Sequence, residues 1–388
     1  MIDKLDEKLC TGCLSCMQKC PTHCIRVGKD SDGFNHPEID STKCIKCDMC
    51  EKVCPILSGQ LLHEPISAYA ARTKDKDLLR RSTSGGIFGV VARKVLRSKG
   101  IVFGVRLDEN GIARTIAIES EKQLASIQGS KYVQSYTGKC YQDAEAHLKE
   151  GRIVLFSGTP CQIEGLKKYL GKDYVNLYTV DVICHGVPSQ ELFSAMWKWM
   201  GEQKKSVLQE WRFRAKEAEG WAQVDHLIYE SGEMYKREYR NPYTYAFLKS
   251  TILRESCYNC PFAKGKRAGD ITLGDYWGIK HFHPEFYSTE GVSLMLINTK
   301  QGEKLYHSVE DEIDTIPSKL SYMQKYNGGL VEKPKKPSNR EGIYQAFHNM
   351  PFDIFLRKRL KVPFEFKEVL KEMIPYKARQ QVKKVLGR

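Results

Sequence analysis

The chain has 388 residues, of which 41% are hydrophobic and 28% charged, and its formal net charge is +14. This length exceeds one small domain and can bury at least one large core, so we expect two or three domains. No apolar run reaches the length of a membrane-spanning helix, and no recognised nucleic-acid-binding motif accompanies the positive charge. We therefore expect a cytoplasmic protein with no nucleic-acid partner, whose 14 cysteines serve as ligands or catalytic groups more than as disulfides.

Two cysteine runs with the same spacing lie near the N-terminus. They are Cys10, Cys13, Cys16 and Cys20 followed by Pro21, and Cys44, Cys47, Cys50 and Cys54 followed by Pro55. Three thiolates at this spacing can surround one corner of a 4Fe-4S cube, and the fourth is placed to reach a second cube. The spacing predicts one cluster on Cys10, Cys13, Cys16 and Cys54, and its twin on Cys44, Cys47, Cys50 and Cys20.

Zinc and disulfides are the alternatives for these runs. Tetrathiolate zinc usually needs two separated Cys-x-x-Cys pairs, and no secretory pattern precedes the motif to favour disulfides. The runs resemble the bacterial-type two-cluster ferredoxins over about the first sixty residues. Cys24 falls where that family usually has a small apolar residue, so we interpret it as a packed side chain.

A second domain is expected after the linker-like segment 56–65. Ser82-Thr83-Ser84-Gly85-Gly86 precedes apolar residues at helical spacing, which predicts a helix that begins at the glycines. A helix N-terminus without Cβ atoms can accept a phosphate or another anion closely, although an ordinary N-cap is the simpler interpretation.

The next elements are a hairpin and a helix. Residues 101–105 and 112–118 flank an Asn-Gly turn and predict two antiparallel strands. Residues 129–135 are small and polar around one lysine, which is typical of a loop. Residues 139–149 have a helical pattern, in which Cys140 is interpreted as structural.

Two predicted strands, at 152–156 and 175–183, are each followed by a cysteine-containing loop and a helix. This order implies adjacent parallel strands, with Cys161 and Cys184 just past their carboxyl ends, where ligand sites lie in such sheets. In the following segment, Arg212, Arg214 and Lys216 alternate with apolar residues, which indicates a half-buried strand with one basic face. Such a face either binds an anionic substrate or is simply solvated.

Four cysteines remain to be explained together, namely Cys161, Cys184, Cys257 and Cys260. They can complete a third 4Fe-4S centre, with two ligands from strand ends and two from the Cys-x-x-Cys loop. Zinc is the main alternative, because spacing does not separate the two metals when ligands come from distant loops. Unpaired buried cysteines are the third interpretation.

The C-terminal segment is the most basic part of the chain. Prolines at 351, 363 and 375 divide it into pieces too short for stable isolated helices, so order there depends on docking. Phe352, Phe355 and Leu356, and further on Val382, Val385 and Leu386, place apolar groups beside positive charge. A peripheral membrane or protein-docking role and a solvated tail remain open.

Several motifs occur together and in order. They are Ser84-Gly85-Gly86, Gly158-Thr159-Pro160-Cys161-Gln162, Cys184-His185-Gly186, Cys257-x2-Cys260-Pro261-Phe262 and the run from Asp270 to Gly278. Over about residues 66–320 this set resembles the coenzyme F-420 hydrogenase/dehydrogenase beta-subunit family. The resemblance implies an FAD-binding catalytic domain with its own 4Fe-4S cluster, often fused to an N-terminal two-cluster ferredoxin.

The resemblance also implies site residues. The flavin-binding candidates are Ser84, Gly85, Gly86, Ser130, Lys131, Gly158 and Thr159. The catalytic candidates are Lys131 and His185, although His185, beside Cys184, is equally a candidate to support a cluster ligand.

We therefore predict a mixed α/β or α+β fold, in which a two-cluster ferredoxin-like domain precedes a flavin- and cluster-binding domain with adjacent parallel strands. The expected divisions are 1–62 for the ferredoxin domain, 66–148 and 149–330 for the two parts of the reductase domain, and 331–388 for a basic extension.

The predicted function is an oxidoreductase that relays electrons from a redox protein such as ferredoxin, through 4Fe-4S clusters and FAD, to a small-molecule substrate. A deazaflavin coenzyme and a substrate linked to polysaccharide biosynthesis are both considered as acceptors. The alternatives are a non-enzymatic electron-transfer subunit and a zinc-stapled interaction protein.

Overall fold

The computed structural model describes residues 2–364. The helices are α1 (Ser15–Lys19), α2 (Met49–Lys52), α3 (Lys76–Arg81), α4 (Ile87–Arg97), α5 (Leu124–Ile127), α6 (Cys140–Lys149), α7 (Pro160–Leu170), α8 (Gln190–Lys204), α9 (Pro242–Leu248), α10 (Ile279–Phe282), α11 (Lys300–His307), α12 (Leu320–Gln324), α13 (Ile343–Asn349) and α14 (Phe352–Arg359). The strands are β1 (Ile25–Lys29), β2 (Asn35–Ile39), β3 (Ser67–Thr73), β4 (Ile101–Leu107), β5 (Ala113–Ile118), β6 (Val154–Gly158), β7 (Leu177–Val182), β8 (Leu208–Arg212), β9 (Val224–Tyr229), β10 (Gly232–Arg237), β11 (Ile271–Asp275), β12 (Ser293–Ile297) and β13 (Ile313–Pro317). Within this part of the chain, no helix is both long and apolar enough to cross a bilayer.

The main sheet has the strand order β13-β3-β12-β11-β7-β6-β4-β5. Its central strands β11, β7, β6 and β4 are parallel, and the strands on both sides of them are antiparallel. The prediction of adjacent parallel strands in a mixed α/β fold is therefore confirmed. The sheet is continuous across residue 148, because β4 pairs with both β5 and β6. Residues on the two sides of 148 consequently share one structural unit.

Apolar sequence explains the sheet centre. Every residue of β12 is buried, and the first three residues of β6 are buried as well. Central parallel strands are covered on both faces, so they need such continuous apolar runs. Helix α4 packs on the sheet through its apolar face, and α7 links β6 to β7.

Helix α7 has a well-defined start. Pro160 occupies its first turn, and Thr159 and Gln162 form a capping box. The proline fixes the backbone dihedral that a helix needs there, while the capping box satisfies two backbone donors. The position of Cys161 at the carboxyl end of β6 is thus set by local sequence.

The C-terminal part of the described chain packs against the rest of the protein. Phe355 is fully buried and Leu356 is 5% exposed, in a core that also contains Leu192 and Phe193 of α8. The short helices α13 and α14 therefore pack on the chain itself, and docking on a partner or a membrane stays a prediction. Residues 365–388, which include the predicted apolar positions Val382, Val385 and Leu386, lie outside the described residues.

Candidate functional site

The two N-terminal cysteine runs have the same backbone. Gly12 and Lys46 occupy equivalent positions and have positive φ values of 66° and 55°, as do Leu14 and Asp48 at 63° and 57°. Each left-handed residue turns the chain between successive cysteines, and a short helix follows in both runs. Such loops surround a central group with thiol side chains, which is what a cubane cluster requires.

The fold brings the first predicted set of cysteines together. Burial raises the pKa of Cys13, and the nearby charges of Cys54 and Cys10 raise it further. The pKa of Cys16 rises well above its ordinary value for the same reasons, with Cys54 again among its neighbours. The fourth cysteine of the second run thus lies with the first three of the first run, as predicted.

The second set is partly exposed. Cys20 and Cys50 are buried, Cys44 is half-buried, and Cys47 is exposed. The Cys24 Sγ lies 3.4 Å from the Cys20 Sγ, and burial together with the thiols of Cys20 and Cys44 raises the pKa of Cys24 to about 11. The first set is therefore the inner group of this domain, and the second set is the outer group.

The last four cysteines also converge, although they come from distant loops. Cys161 begins α7, Cys184 follows β7, and Cys257 belongs to a 3-10 helix that ends just before Cys260. Burial raises the pKa of Cys184 well above its ordinary value, and the charges of the other three cysteines raise it further. All four are half-buried because a cavity reaches them, although they lie deep in the protein.

These four cysteines are a candidate site for a metal centre. Within residues 2–364, no three His, Cys, Asp or Glu side chains are arranged to hold a single metal ion. The sulfurs of a tetrathiolate zinc site all lie about 2.3 Å from one ion, whereas a cubane holds its thiolates farther apart. Enclosed thiols also resist ionisation unless a cationic core compensates their charge.

The inner N-terminal set lies directly against the third set. The charge of Cys161 is among those that raise the pKa of Cys13, in addition to burial and the charge of Cys54. A Cβ atom at Gly165 of α7 would lie only 3.1 Å from the Cys13 Sγ, so a side chain there would crowd this contact. Helix α7 thus carries Cys161 at its start and supports the Cys13 loop one turn later.

Hydrogen bonds fix this contact between the two regions. The Ser15 hydroxyl donates to the Gly165 carbonyl at 2.9 Å, and the Thr137 hydroxyl donates to the Cys13 carbonyl at 3.2 Å. The Tyr141 backbone N–H donates to the buried side-chain oxygen of Gln18 at 2.8 Å. Buried bonds of this kind hold the two regions in one arrangement.

A cavity of about 490 Å³ opens beside the third set. Its wall includes the four cysteines of that set, the 82–88 segment, the 129–135 loop and Trp277. The volume lies in the range of cofactor pockets, and the wall combines apolar faces with hydroxyl groups. The cavity is therefore a candidate small-molecule or cofactor pocket.

The two glycines before α4 are closely packed. A Cβ atom at Gly85 would overlap the Ala71 carbonyl oxygen, and one at Gly86 would lie 2.6 Å from the Thr73 Cγ2. Gly86 also has a φ of 83° and is the N-cap residue, so α4 begins where predicted. Close packing on the sheet accounts for the glycines at both positions, and Gly86 also lies on the cavity wall.

The remaining flavin candidates lie around the same cavity. Ser84, Gly86, Ser130, Lys131, Gly158 and Thr159 all contribute to its wall. The Ser130 backbone N–H donates to the Thr83 hydroxyl at 2.9 Å, which joins the two loops. The Lys131 Nζ donates to the Gln128 carbonyl at 2.7 Å, and burial lowers the pKa of Lys131 to about 7.

The predicted basic face is instead part of the interior. Strand β8 ends at Arg212, Arg214 has a φ of 58°, and both Arg214 and Lys216 are buried. Arg214 donates to both carboxylate oxygens of Asp275, at 2.7 and 3.2 Å. The Lys216 Nζ donates to the Leu79 and Ser84 carbonyls at 2.8 and 2.5 Å, so it positions the loop before α4. The alternating pattern was misleading because the strand ends before these residues.

His185 lies on the cavity wall and contacts protein atoms. Its Nε2 is 3.2 Å from the Phe247 carbonyl oxygen and 3.1 Å from the Ser250 hydroxyl. These contacts orient the ring beside Cys184.

Sequence analysis missed Arg254 and Gln134. Arg254 is 1% exposed and Gln134 is 5% exposed, and both lie between the N-terminal region and the third cysteine set.

Two protein-family models match separate parts of this chain. Residues 9–56 match the 4Fe-4S dicluster domain, and residues 151–319 match the C terminus of the coenzyme F420 hydrogenase/dehydrogenase beta subunit. A solved structure, the F420-reducing NiFe hydrogenase complex from Methanosarcina barkeri, is similar over 78% of this chain and 98% of its own chain, with 16% identity and a TM-score of 0.48. No curated protein sequence matches the chain. Both family resemblances predicted from the sequence are confirmed, and they indicate an iron-sulfur protein of redox electron transfer.

Proposed function

We propose that this chain, which joins a 4Fe-4S dicluster domain to a domain of the coenzyme F420 hydrogenase/dehydrogenase beta-subunit family, is an FAD-dependent reductase. It relays single electrons from a ferredoxin-like protein to a small-molecule acceptor that takes two. The supporting observation is the order of the three cysteine groups, from the exposed Cys47 through the buried Cys13 to Cys161 at the cavity.

The third metal group in this proposal is a 4Fe-4S cluster held by Cys161, Cys184, Cys257 and Cys260. Their convergence, their enclosure and the absence of a single-ion arrangement within residues 2–364 support it. When bound, the clusters carry one electron each and FAD carries two, so FAD supplies the conversion between single electrons and pairs.

The rest of the cavity wall is assigned to FAD. Lys131 brings a positive charge below its pKa of about 7, which favours an anionic group such as a phosphate. The Lys216 Nζ holds the Ser84 loop through its hydrogen bond to the Ser84 carbonyl. The hydrogen bond from the Ser130 N–H to the Thr83 hydroxyl joins the 129–135 loop to the Ser84 loop. Trp277, stacked on Trp221 at 4.9 Å, provides a flat apolar face.

The N-terminal region has two roles in this function. Thr11 and Gly12 contribute to the cavity wall, so docking of this region closes the cavity against water. On its other side, Ile45 is 65% exposed next to the outer cysteine group, where a donor protein can approach. The acceptor remains either a deazaflavin coenzyme or another small conjugated substrate.

The test is an anaerobic preparation in which iron, sulfide, zinc and flavin are counted per chain and the visible spectrum is recorded. We expect about twelve iron atoms, corresponding to three cubanes, and one FAD that a reduced ferredoxin reduces. Clusters without stoichiometric flavin would indicate an electron-transfer subunit instead. About eight iron atoms with one zinc would overturn the third cluster.

A further inference from the structure

Arg254 is a charged side chain enclosed between the two cysteine regions. It is 1% exposed, and its contacts reach across about 220 residues of sequence. Its Nε donates to the Cys10 carbonyl at 2.6 Å, and its Nη1 donates to the Asn35 carbonyl at 3.0 Å and to the Gln134 side-chain oxygen at 3.3 Å. The guanidinium is therefore fixed against the loop of the inner N-terminal cysteines.

The backbone of Arg254 belongs to the third cysteine site. Its N–H donates to the Val187 carbonyl at 2.8 Å, and its carbonyl accepts the N–H of Cys257 at 3.0 Å. Val187 lies three residues after Cys184, so both bonds connect Arg254 to ligand loops of the third set. One residue thus joins the inner N-terminal set to the third set.

The charge of Arg254 acts on sulfur atoms of both sets. Burial raises the pKa of Cys10, and Arg254 is the largest influence that opposes this rise. Burial likewise raises the pKa of Cys161 to about 11 and that of Cys257 to about 12, and Arg254 opposes both. Arg254 is not among the main influences on Cys20 or Cys50 of the outer group.

We infer that Arg254 is a positioning residue that raises the reduction potentials of the inner N-terminal cluster and of the third site, and so favours electron flow inward from the outer cluster. This inference rests on the proposed function for the third site, whereas its effect on the inner cluster requires only the dicluster domain. Each added electron increases negative charge beside Arg254, and a fixed positive charge in a poorly solvated region stabilises that state.

Two further observations support an electrostatic role. The Arg254 Nη2 has no hydrogen-bond partner within residues 2–364. The guanidinium therefore does not use all of its donors to hold the N-terminal region in place. Asp30 lies 3.5 Å from this nitrogen and is 8% exposed at its side chain, which places a negative charge beside the positive one. The positive charge of Arg254 and the negative charge of Asp30 therefore have opposite effects on the Cys10 sulfur.

The test uses the full holoprotein in potentiometric titrations followed by electron paramagnetic resonance. Arg254→Gln should shift the potentials of the inner N-terminal cluster and the third site downward, with a smaller shift at the outer cluster. Arg254→Lys, which retains the charge, should shift them less. Asp30→Asn retains an oxygen that can accept from the Phe34 N–H, and at pH 8 it should shift the inner potential upward.

Arg340→Gln is the matched control. Arg340 is 3% exposed and donates to the Leu253 carbonyl at 2.9 Å, so it anchors the same loop, but its charge pairs with Asp32. Its removal reports what loosening of the loop does to the potentials. If the downward shift in Arg254→Gln is no larger than in this control, the inference is overturned.

For Asp30→Asn the expected shift in the reduction potential is upward, opposite to that for Arg254→Gln. The test therefore remains decisive if Arg254→Gln fails to fold. A downward or absent shift in Asp30→Asn would also overturn the inference, since a purely structural role gives no reason for an upward one. If iron analysis shows that the third site holds no cluster, the reduction potential of the inner N-terminal cluster still tests the role of Arg254. Failure of the proposed third cluster and failure of the Arg254 inference are therefore distinguished.

Discussion

The two places where cysteines converge are built in different ways. In residues 10–54, repeated spacing and left-handed residues such as Leu14 and Asp48 form each loop locally. In the third set, Cys161 and Cys184 meet because β6 and β7 are parallel neighbours, and Cys257 reaches them from a loop about seventy residues further on. The first site depends on local backbone conformation, and the second depends on the whole sheet.

This difference predicts that replacing a ligand cysteine has different consequences at the two sites. In the predicted ligand sets the two N-terminal runs exchange one cysteine each, and Cys54 of the second run lies near Cys16 of the first run. The predicted third set shares no cysteine with them, and it meets them through packing on α7 and through the hydrogen bonds of Arg254. Loss of an N-terminal ligand should therefore affect two clusters, and loss of a third-set ligand should affect one.

The largest effect is expected for Cys13→Ala. It removes a ligand from the inner cluster and releases Cys54, which belongs to the run that holds the twin cluster. We expect a loss of at least about four iron atoms per chain, with flavin largely retained. Iron and sulfide analysis of the anaerobically purified variant measures this.

Cys140→Ser is the control for that variant. The buried Cys140 Sγ donates to the Thr115 carbonyl at 3.2 Å, and serine retains a donor there. It should keep all its iron. Full iron in Cys13→Ala would contradict the shared-ligand arrangement.

A smaller loss is expected for Cys257→Ala. About four iron atoms should disappear while both N-terminal clusters remain, because no ligand is shared. Metal analysis together with the paramagnetic spectrum of the reduced protein distinguishes the remaining clusters. Loss of one zinc atom in place of iron would show that the third site is not a cluster.

The same contrast explains what could be predicted from sequence. The dicluster domain followed from cysteine spacing because that pattern is local, and the hairpin of β4 and β5 followed from its Asn-Gly turn. The start of α4 and the parallel pair β6 and β7 also followed from local patterns.

Features set by tertiary packing could not be predicted in this way. The close approach of Gly85 and Gly86 to the sheet, for example, could not be predicted from the glycines alone. Arg214 and Lys216 looked like one face of a strand, but the turn at Arg214 buries both. Arg254 carried no recognisable pattern, because its partners come from Cys10, Asn35 and Gln134.

The contact between the two regions can be weakened without touching a ligand. Gly165→Val would place a branched side chain 3.1 Å from the Cys13 Sγ and close to the Tyr141 hydroxyl. Overpacking of this kind costs about 1–3 kcal/mol, so the melting temperature should fall while iron per chain is retained. Thermal unfolding followed by circular dichroism measures the change.

Gly165→Ala provides a graded comparison, because its single methyl group intrudes less. It should lie between the wild type and the valine variant in stability. Equal stability of all three proteins would mean that α7 and the Cys13 loop do not depend on this contact.

The smallest effect is expected for Cys24→Ala. Cys24 is 4% exposed and its Sγ is 3.4 Å from that of Cys20, so its position alone is compatible with a ligand. The outer group already has four cysteines without it, and Cys24 packs in the apolar core of this region as Cys140 does in the main domain. Removal of one buried sulfur should cost about 1 kcal/mol of stability and no iron. A loss of about four iron atoms would instead show that Cys24 is a ligand of the outer cluster, so one cysteine of the predicted set would not be. Iron analysis of Cys20→Ala would then test Cys20: retained iron would show that it is not a ligand, and lost iron would show that it is.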